Sequence, residues 1–130
     1  MTAESRKRIL VVEDEEAYAR LLTWQLEAVG YEVRAVTRGA DALRCVHDFK
    51  PELVMLDLRL PDIHGYDVCR ELRKQFHPWV VPIVMLTAMD QPMDQLRGFA
   101  FGADAYLTKP CKESELIKTV TLLLGETIPR

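Results

Sequence analysis

The chain has 130 residues, of which 48% are hydrophobic and 28% are charged, and its formal net charge is −3. This length suits one compact domain over 1–130, with a core at about 8–124 and loose ends at 1–7 and 125–130. The basic residues are scattered, the three cysteines are widely spaced and the apolar runs are short, so we expect a cytoplasmic protein without disulfides, direct nucleic-acid binding or a membrane span.

Five short β-type runs alternate with segments of helical periodicity, an order that favours a parallel sheet with helices on both faces. The first, third and fourth runs are apolar without interruption, as expected of central strands. The second run includes Arg34, so we expect it at an edge of the sheet. In chain order the runs are 9–12, 33–36, 53–56, 83–86 and 106–108.

Apolar residues at helical spacing follow each run and predict five helices that pack on the sheet. The first helix should end near Gly30, since glycine is suited to the end of a helix, and the second should end before Pro51. Core packing explains these apolar stripes better than a cofactor role does. The residues predicted to face the core are Tyr18, Leu22, Leu26 and Val29; Leu43, Val46 and Phe49; Val68, Leu72 and Phe76; Leu96, Phe99 and Ala100; and Leu116, Val120 and Leu123.

Polar residues stand at the carboxyl ends of four of the predicted strands. Right-handed crossovers bring these ends to one edge of the sheet, and ligands bind at that edge where the strand order reverses. In the order 2-1-3-4-5 the reversal lies between the first and third strands, so the residues that follow them should converge. These residues are Glu13 and Asp14 after the first strand and Asp57 after the third, with Thr87 and Lys109 after the fourth and fifth.

The predicted cluster of carboxylates has a specific chemistry. Three close carboxylates repel one another unless a cation holds them, which favours a hard divalent metal such as Mg²⁺, with Mn²⁺ as a substitute. A carboxylate can also accept a phosphoryl group when positive charge stabilises the phosphoryl oxygens. Lys109 and the metal would supply that charge. Any one of these residues could be an ordinary strand end or loop position, so the interpretation depends on the whole set.

Four segments of the chain resemble, in order and spacing, the receiver domains of bacterial two-component response regulators. The resemblance spans about residues 8–124. It implies an α/β fold of the flavodoxin-like type, a doubly wound five-stranded parallel sheet of order 2-1-3-4-5 with helices on both faces. The segments are 9–15, 56–62 with Gly65, 82–88, and 102–104 with 106–110.

The resemblance implies a phosphoacceptor and a metal site. A histidine kinase or a phosphotransfer protein would present a phosphohistidine, and Asp57 would accept its phosphoryl group. Asp14, Asp57 and the backbone carbonyl of Arg59 would bind Mg²⁺ directly, and Glu13 would bind it partly through water. The domain would catalyse only its own phosphorylation and slow dephosphorylation, and so would not be an enzyme that acts on other molecules.

The resemblance also implies a conformational switch. Lys109 would pair with the phosphoryl oxygens, aimed by a cis peptide bond before Pro110, and Thr87 and Ala88 would complete the phosphoryl site. Tyr106 would turn inward as Thr87 moves. The surface of the fourth helix, fifth strand and fifth helix would then change its affinity for a downstream effector.

Association of two copies after phosphorylation is a further expectation. Many relatives that dimerise through salt bridges have two acids before the switch aromatic, whereas this chain has Asp104 followed by Ala105. We therefore expect any phosphorylation-dependent homodimer to use a more apolar surface. Phe101, Leu122 and Leu124 are the residues predicted to contribute to it.

Arg59 and Met89 occupy positions that flank the phosphoryl group in similar receivers, so we expect them to set its lifetime. Two other functions are open. A receiver-like adaptor could work without phosphate, although the complete set of site residues argues against it. A metal-dependent phosphohydrolase of the aspartyl-phosphate type would need an acid in the position of Arg59.

Overall fold

Strands and helices alternate along the chain, and the computed structural model describes residues 6–76 and 81–125. The ends predicted to be loose therefore lie largely outside the described residues. The strands are β1 (Arg8–Val12), β2 (Glu32–Val36), β3 (Leu53–Leu56), β4 (Ile83–Thr87) and β5 (Ala105–Thr108). The helices are α1 (Glu16–Ala28), α2 (Gly39–Phe49), α3 (Gly65–Phe76), α4 (Pro92–Ala100) and α5 (Glu113–Leu123).

The strands form one parallel sheet of order β2-β1-β3-β4-β5, which confirms the predicted fold. β3 and β4 are buried along their whole length, whereas β2 exposes Glu32, Arg34 and Ala35 at the predicted edge. The registers pair Val12 with Leu56 and Leu56 with Met85. The residues that follow β1 and β3 therefore emerge side by side.

Alternation along the strands supplies an apolar layer to each face of the sheet. Leu10 and Val12 join the cluster under α2 and α3, and Ile9 and Val11 join the cluster under α1 and α5. Each fully buried aliphatic side chain stabilises the fold by about 1.5 to 3 kcal/mol. Predicted core residues that are buried are Leu22, Leu26, Val46, Phe49, Val68, Leu72, Leu116 and Val120, and those that are partly buried are Tyr18, Leu43, Phe76 and Leu123.

The first helix ends at Ala28, near Gly30 as predicted. Gly30 has a φ of 103°, its N–H donates to the carbonyl of Glu27, and the N–H of Tyr31 donates to the carbonyl of Leu26. Glycine reaches this left-handed conformation at low cost, which explains its place here. The prediction that Val29 faces the core is wrong, because α1 has already ended and this side chain is 47% exposed.

The predicted inner face of α4 is also wrong. Leu96 is 63% exposed, Phe99 is 48% exposed, and Ala100 is exposed as well. Gly98 is instead the buried residue of this helix, and a Cβ atom there would lie 2.8 Å from Cδ2 of Tyr106. Because α4 lies this close to the aromatic ring, a glycine must face inward and the large apolar residues face solvent.

Candidate functional site

The three predicted acids meet at the carboxyl edge of the sheet. One carboxylate oxygen each from Glu13, Asp14 and Asp57 lies within 4.8 Å of the others. Glu13 is 2% exposed and Asp57 is 5% exposed, whereas Asp14 is exposed. The N–H of Asp57 donates to the carbonyl of Val12 over 3.0 Å, which holds the end of β3 beside the end of β1.

Lys109 brings an ammonium group into this cluster. Its Nζ donates to Oδ2 of Asp57 over 2.8 Å and to Oε1 of Glu13, and its backbone N–H donates to the carbonyl of Thr87 over 2.9 Å. Burial alone would lower the pKa of Lys109, but the hydrogen bonds to Asp57 and Glu13 outweigh burial and raise it. The ammonium therefore stays charged between two buried carboxylates.

The site carries more negative than positive charge. Burial raises the pKa of Glu13 to about 7, and repulsion from Asp57 adds to this effect, while the hydrogen bond from Lys109 opposes it. Among the described residues the cluster has three carboxylates and the ammonium of Lys109. Three converging carboxylate oxygens are the donors that Mg²⁺ and Mn²⁺ prefer, so the residues present fit such a cation.

The loop after β4 is held by Thr87 and Tyr106. Thr87 is fully buried, and its Oγ1 accepts a hydrogen bond from the N–H of Met89 over 3.4 Å. The hydroxyl of Tyr106 donates to the carbonyl of Met89 over 2.6 Å, and burial raises the pKa of this hydroxyl above its usual value. Ala88 lies between Thr87 and Met89 and is exposed. The predicted switch residues are therefore joined through one short loop.

The loop after β3 is held by hydrogen bonds at two positions beyond Asp57. The N–H of Arg59 donates to Oδ1 of Asp57 over 3.1 Å. The carboxylate of Asp62 accepts hydrogen bonds from the N–H groups of Gly39 and Ala40, over 2.8 and 2.9 Å. These donors begin α2, so Asp62 ties the loop to a helix N-terminus and satisfies backbone groups there. Asp57 is thus held by backbone contacts before the chain reaches α3.

The remaining predicted residues do not all lie at this edge, since Phe101 comes just before β5, and Leu122 and Leu124 stand at the end of α5. The peptide bond between Lys109 and Pro110 is cis. Phe101, expected on a partner surface, is half-buried, and its ring stacks on that of Tyr66 with 4.8 Å between centroids. Leu122 is 54% exposed, and Leu124 is partly buried.

Sequence reasoning missed two aromatic residues near the site. Tyr66 is buried, and its hydroxyl donates to the carbonyl of Asp94 in α4 over 3.1 Å. Tyr18 was predicted only as a core residue, but its ring faces the Nζ of Lys109, with 4.7 Å from that atom to the ring centroid. Helical periodicity marks both tyrosines as inward-facing and gives no sign of a polar partner.

Comparison with known proteins identifies the family. The model of the response regulator receiver domain matches residues 9–121, which include every acid of the cluster together with Thr87, Tyr106 and Lys109. The chain belongs to this family. The match confirms the resemblance that the sequence motifs indicated.

Individual relatives show how far the similarity extends. The receiver domain is 42% identical over 118 residues to the alkaline phosphatase synthesis transcriptional regulatory protein PhoP of Bacillus subtilis, covering 91% of this chain and 48% of that protein. This chain spans about half the length of the curated relatives it matches. No described helix of the receiver domain is long and apolar enough to cross a membrane.

Two solved structures resemble the receiver domain closely. The BeF3-activated N-terminal receiver domain of Klebsiella pneumoniae RstA has a TM-score of 0.87 and 32% identity, with coverage of 92% of this chain and 100% of that one. The receiver domain of a sensor histidine kinase from Pseudomonas aeruginosa, solved with a magnesium ion in its active-site cleft, has a TM-score of 0.85 and 32% identity, with coverage of 94% and 100%.

Proposed function

We propose that this receiver domain accepts a phosphoryl group onto Asp57 from a phosphohistidine of a histidine kinase or phosphotransfer protein. One observation carries the proposal: Asp57 is buried between two opposed groups, with Lys109 donating to one oxygen and the N–H of Arg59 donating to the other. These donors fix the carboxylate of Asp57 at the carboxyl edge of the sheet. A phosphoryl group attached there would meet positive charge from Lys109.

The chemistry requires one bond exchange. An oxygen of Asp57 attacks phosphorus, the P–N bond to the donor imidazole breaks, and the leaving imidazole takes a proton from solvent. Lys109 then pairs with the phosphoryl oxygens instead of with the free carboxylate. When bound, Mg²⁺, or Mn²⁺ in its place, supplies further positive charge to these oxygens.

We assign the metal ligands from the same geometry. Glu13, Asp14 and Asp57 offer converging oxygens. The backbone carbonyl of Arg59 is proposed as a further ligand, supported by the position of this residue two places after Asp57, where its N–H already donates to the Asp57 carboxylate. The solved kinase receiver with a magnesium ion in its cleft supports a metal at this edge of the fold.

The switch that we propose runs through the loop after β4. The Thr87 hydroxyl and the backbone of Ala88 would bind the phosphoryl group, which would withdraw Thr87 from the N–H of Met89. Tyr106 is bonded to the carbonyl of Met89, so movement of this loop would reach Tyr106 and then α4, which packs on the aromatic ring through Gly98. An effector of unknown identity would bind the changed surface of α4, β5 and α5.

The same surface is our candidate for a phosphorylation-dependent homodimer. Exposed apolar side chains stand on α4 and α5, and they include Met93 at 56% exposure, Leu96 at 63% and Leu122 at 54%. Phe101 is engaged by Tyr66, so these side chains replace it as the centre of the surface. Sedimentation that is the same with and without beryllofluoride would contradict this association.

We propose a signalling role in the cytoplasm, with catalysis limited to the domain's own phosphorylation and slow dephosphorylation. The arrangement gives little support to a phosphohydrolase that acts on external substrates, because the position of a second catalytic acid is occupied by Arg59. Turnover of an external phosphate ester would distinguish that activity from self-hydrolysis.

The direct test is the intact mass of the protein after incubation with Mg²⁺ and acetyl phosphate. The parent should gain the mass of one phosphoryl group, and Asp57→Ala should gain none. Asp104→Ala, which changes an acid at the other end of the sheet, should gain it as the parent does. If the folded parent gains nothing under conditions that label another receiver, the phosphate-independent adaptor becomes the better function.

A further inference from the structure

The ring of Tyr18 lies against the ammonium group that serves the phosphoryl site. Tyr18 belongs to the first turn of α1, directly after the acidic loop, and it is partly buried against the cluster that underlies α1 and α5. The Nζ of Lys109 stands over its ring, 4.7 Å from the centroid. The hydroxyl lies beside the backbone N–H of Cys111, two residues after Lys109. Tyr18 thus meets Lys109 through its ring and the segment that follows Lys109 through its hydroxyl.

The Lys109 ammonium has more than one carboxylate within reach. Its side chain has a flexible four-carbon stem, which loses rotamer entropy when it is fixed in one position. Besides the buried Glu13 and Asp57, the carboxylate of Glu15 lies 3.8 Å from Nζ and is 71% exposed. Without a restraint, the ammonium could follow Glu15 toward water and leave the acceptor.

We propose that Tyr18 is a positioning residue, whose ring face holds the Lys109 ammonium on the Asp57 side of the site so that it meets the incoming phosphoryl oxygens. This inference rests on the proposed function. The face of an aromatic ring attracts a cation, and the attraction grows when water is excluded, as it is here, where the Lys109 side chain is 11% exposed. Glu15 offers a competing attraction that is largely screened by solvent.

We assign the effect on Lys109 to the ring of Tyr18, and not to its hydroxyl or to the bulk of the side chain. Leu22 and Leu26, which follow Tyr18 on the same face of α1, are 2% and 0% exposed and fill the core. Tyr18 is one turn nearer the site and only partly buried. A leucine could replace its apolar packing, but a leucine has no π face for an ammonium.

The chain contains a matched control for the loss of such a contact. The guanidinium of Arg34 lies over the ring of Phe49, 4.6 Å from the centroid. Phe49 is the last residue of α2, and its carbonyl accepts a hydrogen bond from Arg8 at the amino end of β1. Phe49→Leu therefore removes a ring that faces a cation without touching the phosphoryl site.

The test compares four variants, namely Tyr18→Phe, Tyr18→Leu, Tyr18→Met and Phe49→Leu. The readouts are the affinity for beryllofluoride at saturating Mg²⁺ and the rate of labelling by acetyl phosphate. Tyr18→Phe should match the parent, because it keeps the ring. Tyr18→Leu and Tyr18→Met should bind beryllofluoride about five- to thirty-fold more weakly and label more slowly, which is the range expected for one cation–π contact.

The outcomes distinguish a failure of the role assigned to the Tyr18 ring from a failure of the proposed phosphoacceptor function. Phe49→Leu should unfold more easily than the parent yet bind beryllofluoride equally well. Leucine and methionine variants that match the parent, or a phenylalanine variant as weak as they are, would overturn the role of the ring. A folded parent that neither binds beryllofluoride nor is labelled by acetyl phosphate would overturn the proposed function itself, and the inference with it.

Discussion

At the amino edge of the sheet, the charged side chain of Arg73 bonds mainly to backbone groups, whereas at the carboxyl edge that of Lys109 bonds to two carboxylates. Arg73 donates to the carbonyls of Gly102 and Val81, over 2.9 and 2.5 Å, and pairs with Asp104. Asp104 in turn accepts from the N–H of Ile83 over 2.8 Å. Charges at this edge therefore connect α3 to the starts of β4 and β5.

The carboxyl edge uses its charges differently. Lys109 faces Glu13 and Asp57, both almost fully buried, with Asp14 close by. The excess of acids costs stability, because buried charges that are not fully balanced are unfavourable. Proteins tolerate such a loss of stability at functional sites, where a bound ligand offsets it. On the proposed function, the difference teaches that Arg73 and Asp104 at the amino edge serve the fold, whereas Lys109, Glu13 and Asp57 at the carboxyl edge serve binding.

The largest effect should follow from removing the ammonium at the carboxyl edge. Lys109→Met keeps the length of the side chain but loses the charge that, on the proposed function, meets the phosphoryl group. We expect the rate of labelling by acetyl phosphate to fall by roughly a hundredfold or more, the usual cost of losing one such donor. Lys74→Met, which removes an exposed lysine of α3, is the control and should label at the parental rate. Equal labelling rates for Lys109→Met and Lys74→Met would contradict a special role for the charge at the carboxyl edge.

The converse change at the amino edge should affect stability alone. Arg73→Met removes two backbone contacts and an ion pair, and we expect the free energy of unfolding to fall by about 2 to 3 kcal/mol. Urea denaturation measures this change. Arg70→Met, which breaks an exposed pair with Asp67, should cost less than about 1 kcal/mol. A folded Arg73→Met protein that labels much more slowly than the parent would contradict the division of roles.

Stability should also depend on pH through Glu13 at the carboxyl edge. Burial raises the pKa of Glu13 from 4.5 to about 7 in the folded protein, so between these values the folded state holds more protons than the unfolded state. The free energy of unfolding should therefore decrease as pH rises from about 4.5 to 7, by on the order of 2 kcal/mol for this group. Denaturation in the presence of a metal chelator measures it.

Glu13→Gln is the control for this pH dependence, because glutamine has no proton to lose in that range. Its stability should fall less over the same interval than the stability of the parent. Mg²⁺ should reduce the decrease in the parent, since a cation favours the ionised carboxylate. Identical pH profiles for the two proteins without metal would show that Glu13 does not titrate there.

The smallest effect should come from Met89 and Arg59, the residues that we expect to flank the phosphoryl group. Met89→Ala opens space beside Thr87, and Arg59→Ala removes a cation beyond Asp57, so we expect several-fold changes in the rate of dephosphorylation. The decay of the phosphorylated mass after removal of acetyl phosphate measures this rate. Decay rates equal to the parental rate in both variants would show that Met89 and Arg59 do not set the lifetime of the phosphoryl group.

The sequence predicted the sheet and the positions of the site residues because both depend on strong local patterns. The uninterrupted apolar runs at 9–12 and 53–56 are typical of central strands. Strand order then brings Glu13 and Asp57 together without any knowledge of side-chain contacts. The edge position of β2 followed in the same way from one charged residue, Arg34.

Features that depend on the distance between elements could not be predicted. Gly98 faces the core because α4 approaches the ring of Tyr106 closely, and periodicity assigns the core to the larger Leu96 and Phe99 instead. The contact of Tyr18 with Lys109 joins residues far apart in the chain, and each has an ordinary local explanation. Helical spacing shows which face of a helix is apolar, but not which neighbour it meets.

The claim that Asp57 alone accepts the phosphoryl group can be tested by locating the modified residue. After incubation with Mg²⁺ and acetyl phosphate, borohydride reduces an aspartyl phosphate to homoserine, and peptide mass spectrometry finds the converted position. We predict homoserine at position 57, with Asp14, Asp62 and Asp104 unchanged. Conversion at another acid, or labelling that persists in Asp57→Ala, would contradict the assignment of the carboxyl edge.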